Sequence, residues 1–184
     1  MTHPELAAEI VASLSALDAR STAWLRARGV PMMALHQYPG PMGVSRIIPT
    51  GRWYELAEGD GIPAYIMPVF VSGAFSDLLD LIAWTPADPV RWWFRTGDAY
   101  ALGMEWIDRA EIHDKPLRLF ECPLDWLAAG GSGACVLDWK FAALHLRRVP
   151  ALQCDSLAFA ERVQRTLSFP SPHIPRILVR QEAV

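Results

Sequence analysis

Lysine is almost missing from this chain: of its 17 basic residues only Lys115 and Lys140 are lysines, and the rest are arginines. A GC-rich coding sequence produces that bias as readily as a need for bidentate guanidinium contacts, so it indicates no function. Neither sign of charge is in large excess, since 20 acidic residues set against the basic ones leave a formal net charge of -3. That balance excludes a global field able to gather nucleic acid or an anionic membrane; such a contact would need a local patch. A nucleic-acid partner therefore stays possible but is not favoured. No run of about 18 apolar residues occurs, and the opening MTHPELAAEI has neither a basic start nor an unbroken apolar stretch. A cytoplasmic protein with no membrane partner is expected. Cysteine is scarce, and Cys122, Cys135 and Cys154 are odd in number and widely spaced, which predicts buried free thiols in place of a disulfide framework.

What is present is apolar material, 52% of 184 residues with 10% aromatic, enough for one domain with a sizeable core. Leu6, Ile10, Leu14, Leu17 and Trp24 recur at helical spacing, and Gly29 stands where a helix stops, so residues 1–29 are expected to carry a long N-terminal helix. The period then changes. VPMMALHQY, VSRII, RWYELA, AYIMPVFV, LLDLIAW and VRWWFR are short β-branched or aromatic runs separated by turn sequences, which predicts consecutive antiparallel strands. Beyond Gly97 the pattern turns helical over AYALGMEWIDRA, with Asp98 as the expected N-cap. PLRLFE predicts a strand, PLDWLAA a short helix stopped by Gly130 and Gly131, and ACVLDW another strand. Asp155 or Ser156 caps a last helix over SLAFAERVQRTLS, and residues 168–184 form an extended tail or edge strand. The whole chain, 1–184, is expected to be a single α+β domain with a mainly antiparallel sheet and two or three helices beyond the first.

In VRWWFR the strand period sends Trp92 and Phe94 to one face and Arg91, Trp93 and Arg95 to the other. Either the second row is a stacking platform for a base or another planar anion, or its arginine stems simply cover Trp93. A second polar group comprises His36, Arg46 and Arg52, which adjacent hairpins would bring to one end of the sheet as a cationic pocket; ordinary strand-end residues are the alternative. Asp77 and Asp80 on a strand point to opposite faces and make no paired-carboxylate acid and base. Asp88, ahead of Pro89, reads as a turn residue.

Enzyme motifs fare less well. Ser132 lies in Gly-x-Ser-x-Ala, but a helix precedes it and a strand follows, the reverse of a nucleophile elbow. The glycines around it lack the Gly-Lys-Ser/Thr of a phosphate loop. Cys135, His145 and Asp155 include the residue types of a thiol protease, and the three cysteines with His145 those of a zinc set, without supporting spacing for either. No metal, cofactor or catalytic set is expected from these residues.

From FSDLLDLIAWTPADPVRWWFRTGDAYALG through PLRLFECPLDWLAAGGSGACVLDW, the chain resembles uncharacterised proteins of GC-rich alphaproteobacteria, some carried by prophages. The resemblance implies a bacterial cytosolic setting linked to a mobile element; it implies no activity and transfers no catalytic residues. The expectation is therefore a non-catalytic binding or accessory protein. It would hold an unidentified protein or a small anionic ligand through Arg91, Trp93 and Arg95 or through His36, Arg46 and Arg52, with self-association through the first helix or the tail as a further option. The alternative is a small hydrolase or transferase in which His36, within reach of Glu55, acts as general base beside arginines that hold an anionic substrate.

Overall fold

A computed structural model of the chain describes residues 4–14, 16–36, 42–71, 74–168 and 175–179, without the side chains of residues 36 and 74–76. The N-terminal segment holds helices α1 (Pro4–Leu14), α2 (Ala19–Arg26) and α3 (Met32–His36). The long first helix is thus corrected to two. Asp18 takes the N-cap of α2, accepting the Ser21 amide at 2.7 Å. The physical reason lies in where the stripes go: Leu6 and Ile10 of α1 enter one hydrophobic cluster and Leu25 of α2 another. A single straight helix would not reach both. The run expected as a strand at VPMMALHQY contains α3 instead, which begins directly after Pro31.

Five strands follow: β1 (Gly43–Thr50), β2 (Trp53–Leu56), β3 (Ile62–Val71), β4 (Ala74–Thr85) and β5 (Asp88–Phe94). They close into a barrel in the order β1-β2-β5-β4-β3. Every sequential neighbour pair is antiparallel as expected, and a single parallel pairing, Trp53 with Phe94, completes the ring. Gly51, at φ 63°, supplies the left-handed first position of the two-residue loop between β1 and β2.

Alternation along the strands gives the barrel two apolar faces. Ile47, Tyr54, Ala64, Ile66, Leu81, Ala83 and Trp93 fill the interior, joined by Leu6 and Ile10 of α1. Tyr65, Met67, Ile82, Trp84 and Phe94 face outward into a second cluster shared with everything that follows.

The rest of the chain is a layered helix and sheet unit made of β6 (Ala101–Leu102), α4 (Met104–Ile112), β7 (Leu117–Phe120), α5 (Pro123–Ala128), β8 (Ala134–Val136), α6 (Trp139–Leu146), β9 (Ala151–Cys154), α7 (Leu157–Leu167) and β10 (Arg176–Val179). Its strand order is β10-β9-β7-β8-β6; β7, β8, β9 and β10 are mutually parallel and only β6 is antiparallel. The fold is α+β, with the antiparallel reading holding for the barrel and the second sheet running mainly parallel. Asp98 does not cap α4; that place falls to Gly103 at φ 70°. Ser156 does cap α7, accepting the Phe159 amide at 3.2 Å. The tail contributes β10 as an edge strand on β9. Among the described residues no helix is long and apolar enough to cross a membrane.

Candidate functional site

The period-two geometry of residues 90–95 is present, but its consequence differs from a stacking platform. Trp93 points into the barrel and is 5% exposed. Arg91 lies over its ring, 5.1 Å from the centroid. Arg95 donates to Glu9 of α1 at 2.8 Å, and Glu9 also accepts from the Tyr54 hydroxyl at 2.7 Å. The Arg91, Trp93 and Arg95 row therefore belongs to the closure of the barrel, because a ring inside a closed sheet has no face left for a base. Trp92 and Phe94 occupy the opposite side, where the barrel meets the second layer.

The second expected group is not brought together. Arg52 forms the turn between β1 and β2 and pairs with Asp138, the N-cap of α6, across the two layers. Arg46 sits at the other end of that hairpin, where its carbonyl accepts the Ala57 amide and its guanidinium donates to the carbonyl of Gly61. The side chain of His36 lies outside the described residues, so its pairing with Glu55 does too. Asp138 is held below the usual carboxylate range: burial alone would raise it, and the hydrogen bonds from Arg52 and the Lys140 amide outweigh that.

The buried acids have structural work. Asp80 is fully buried and accepts from the amides of Leu81, Thr96, Gly97 and Ala99 at 2.8 to 3.4 Å, which folds the segment after β5 around one carboxylate. Gly97 in that segment has φ 84°, and a Cβ there would meet the Trp53 ring at 2.2 Å. Asp88 is not in the turn itself, which is Pro86 and Ala87, but opens β5 directly after it, paired with Thr85 and with its amide donating to the Thr85 hydroxyl at 3.3 Å. The three cysteines are free and buried. Burial pushes the Cys122 thiol up to about 12, that of Cys154 to about 11 and that of Cys135 well above its usual value. Among the described residues no group of three or more His, Cys, Asp or Glu is placed to hold a metal ion.

The place where cationic and aromatic groups do converge is a groove of about 510 Å³ at the amino ends of β7 and β8. One wall is a helical stripe of α4, Trp106, Arg109, Ala110 and His113, whose i, i+3, i+4, i+7 spacing puts all four side chains on one face. Lys115, Pro116 and Arg118 line it where the chain enters β7, and Ser132 and Gly133 where it enters β8. Gly133, at φ 109°, lets the backbone pass close: a Cβ there would lie 2.5 Å from the Arg118 carbonyl oxygen.

Among the described residues no carboxylate lines this groove. The guanidinium of Arg109 sits 5.0 Å from the Trp106 ring centroid. Arg118 is already engaged by Asp155 through a two-pronged contact at 3.0 and 3.2 Å, whereas Arg109, His113 and Lys115 form no ion pair among the described residues. Three acids share α4, Glu105, Asp108 and Glu111, and none of them lines the groove; burial raises the Glu105 carboxyl above the usual range and Arg109, one turn on, opposes that rise. The Trp106 indole N–H, sealed from solvent, has no acceptor among the described residues.

Sequence reasoning passed over this site. Its signal was a Trp-x-x-Arg-Ala-x-x-His spacing inside a helix, legible only once α4 is known to start after Gly103 and to present that stripe next to β7. Compared with known proteins, the chain matches no family model, no curated protein and no solved structure.

Proposed function

We propose that this chain is a non-catalytic binding module that holds a small organic anion in the groove between α4 and the amino ends of β7 and β8. The observation that carries the reading is the gathering of Arg109, His113 and Lys115 around Trp106 with no carboxylate on the wall among the described residues. Arg109 and Lys115, which form no ion pair among the described residues, supply charge-assisted hydrogen bonds, and the indole beside them supplies a surface for a flat apolar body. The volume falls in the range of small-molecule sites. The ligand class that fits is an aryl phosphate or aryl carboxylate. Its setting, from the resemblance above, is a bacterial cytosol and a mobile element.

Calorimetric titration with phenyl phosphate, inorganic phosphate and benzamide tests this. Phenyl phosphate is expected to bind more tightly than either comparator, since only it engages both the cations and the ring. Arg109→Ala is expected to weaken it about tenfold. Equal affinity for inorganic phosphate, or an Arg109→Ala, Lys115→Ala double variant that binds like the parent, would remove the groove from consideration.

A second reading, a small hydrolase for an anionic substrate, is favoured by one observation: Ser132 and His113 line the same groove as the cations. Release of phenol from phenyl phosphate during the titration, abolished in Ser132→Ala or His113→Ala, supports that reading. Full recovery of the ester supports the binding module.

A further inference from the structure

A second cleft, of about 260 Å³, opens at the opposite, carboxyl ends of β7 and β8 and shares no lining residue with the groove. The carboxyl end of parallel strands is where open sheets of this kind commonly present ligand sites, because the connecting loops diverge there. Its walls are aromatic: Trp92 from β5, Phe120 from β7, Trp139 from the first turn of α6 and Phe159 from the first turn of α7. Glu121 and Arg162 stand at the rim.

Two of the four rings already carry cations. The guanidinium of Arg118 lies 4.5 Å from the Phe120 ring centroid, and that of Arg162 lies 5.2 Å from the Phe159 centroid. The two indoles, the rings that attract cations most strongly, have none over them among the described residues. Trp92 is held in place by its own N–H, which donates to the carbonyl of Leu137 at 3.3 Å. The only carboxylate in the lining among the described residues, Glu121, is paired with Arg162. Both partners of that pair are about half exposed, 42% and 50%, so opening it costs little.

The geometry points to a cation site: the cleft takes a quaternary ammonium head group between Trp92 and Trp139, with Glu121 as its counter-charge and Arg162 as the internal cation it displaces. Four ring faces with one carboxylate beside them suit a cation that needs no hydrogen-bond acceptor from the rings, and a quaternary ammonium is the weakly hydrated case. A primary ammonium would leave N–H groups facing apolar rings, which costs free energy. The cavity has room for a head group and a short tail.

The test uses the full chain and tetramethylammonium chloride, followed by the methyl proton resonance and by calorimetry, with neopentyl alcohol as the uncharged comparator. Saturable binding with an upfield shift of the methyl protons is expected, since ring currents act only on protons held over aromatic faces. Trp139→Leu is expected to weaken binding about fivefold or more. Glu121→Gln, an exposed change that leaves the core intact, is expected to weaken it roughly threefold, and Arg162→Ala to tighten it by a similar factor. Absence of saturable binding would overturn the assignment. So would equal affinity for neopentyl alcohol, or affinity untouched by both Glu121→Gln and Trp139→Leu in proteins that melt like the parent.

Discussion

Asp80 shows how much one side chain can organise. Its carboxylate sits in the interior and accepts hydrogen bonds from four backbone amides, which ties the segment after β5 to β4. Asp80→Ala leaves those donors without an acceptor and is expected to cost about 3 kcal/mol or more in urea denaturation, whereas Asp80→Asn, which keeps one carbonyl oxygen, is expected to cost less. The thiols give a second test at this scale. Because the fold raises the thiol values of Cys122, Cys135 and Cys154, the folded state keeps their protons longer than the unfolded chain does. Their contribution to stability is fully present below about pH 8.5, where unfolded thiols begin to ionise, and is lost as pH rises through about 11 to 12. Native protein at pH 8 is accordingly expected to leave a thiol-titrating reagent almost unreacted, with all three cysteines reacting on unfolding.

At the scale of elements, α1 is bound to the barrel by two different forces. Leu6 and Ile10 join the barrel interior, and Glu9 bridges the Tyr54 hydroxyl and Arg95. Burial and the neighbouring Glu9 charge hold the Tyr54 phenol well above its usual value, so it remains the donor in that bridge. Glu9→Ala removes the acceptor from both partners and is expected to destabilise by about 2 kcal/mol, with Glu9→Gln recovering part of the loss; the shift in urea midpoint is the measurement. The Arg91, Trp93 and Arg95 row is where local pattern and tertiary outcome part. Alternation was legible in VRWWFR, and it did put Trp93 between the arginines. Which face would be covered was not legible, because it depends on the strand being rolled into a barrel and on Glu9 arriving from 86 residues earlier in the chain.

For the whole molecule, the outer face of the barrel and the second sheet share one hydrophobic cluster. Trp84 stands at that junction, fully buried, with its ring 4.7 Å from the Tyr65 ring and its N–H directed at the Met67 sulfur at 2.9 Å. Trp84→Ala is expected to cost about 3 to 5 kcal/mol and to lower the melting of both halves together, so that far-ultraviolet dichroism and tryptophan fluorescence report coincident transitions. Two transitions would mean that the halves fold as separate units. Arg52 and Asp138 tie the same halves at the surface, and losing Arg52 is expected to matter less, about 1 kcal/mol, because that guanidinium is half exposed.

The sequence by itself determined the α+β class, the antiparallel run through the middle of the chain, a cap for the last helix at Asp155 or Ser156 and the free thiols, since each depends on local periodicity, turn chemistry or counting. Tertiary structure alone decided that the strands close on themselves, that the first helix breaks so its two parts can serve two cores, and that Trp106, Arg109, His113 and Lys115 meet Ser132. Those outcomes rest on contacts between residues far apart in the chain, and such contacts leave no period for a one-dimensional reading to find.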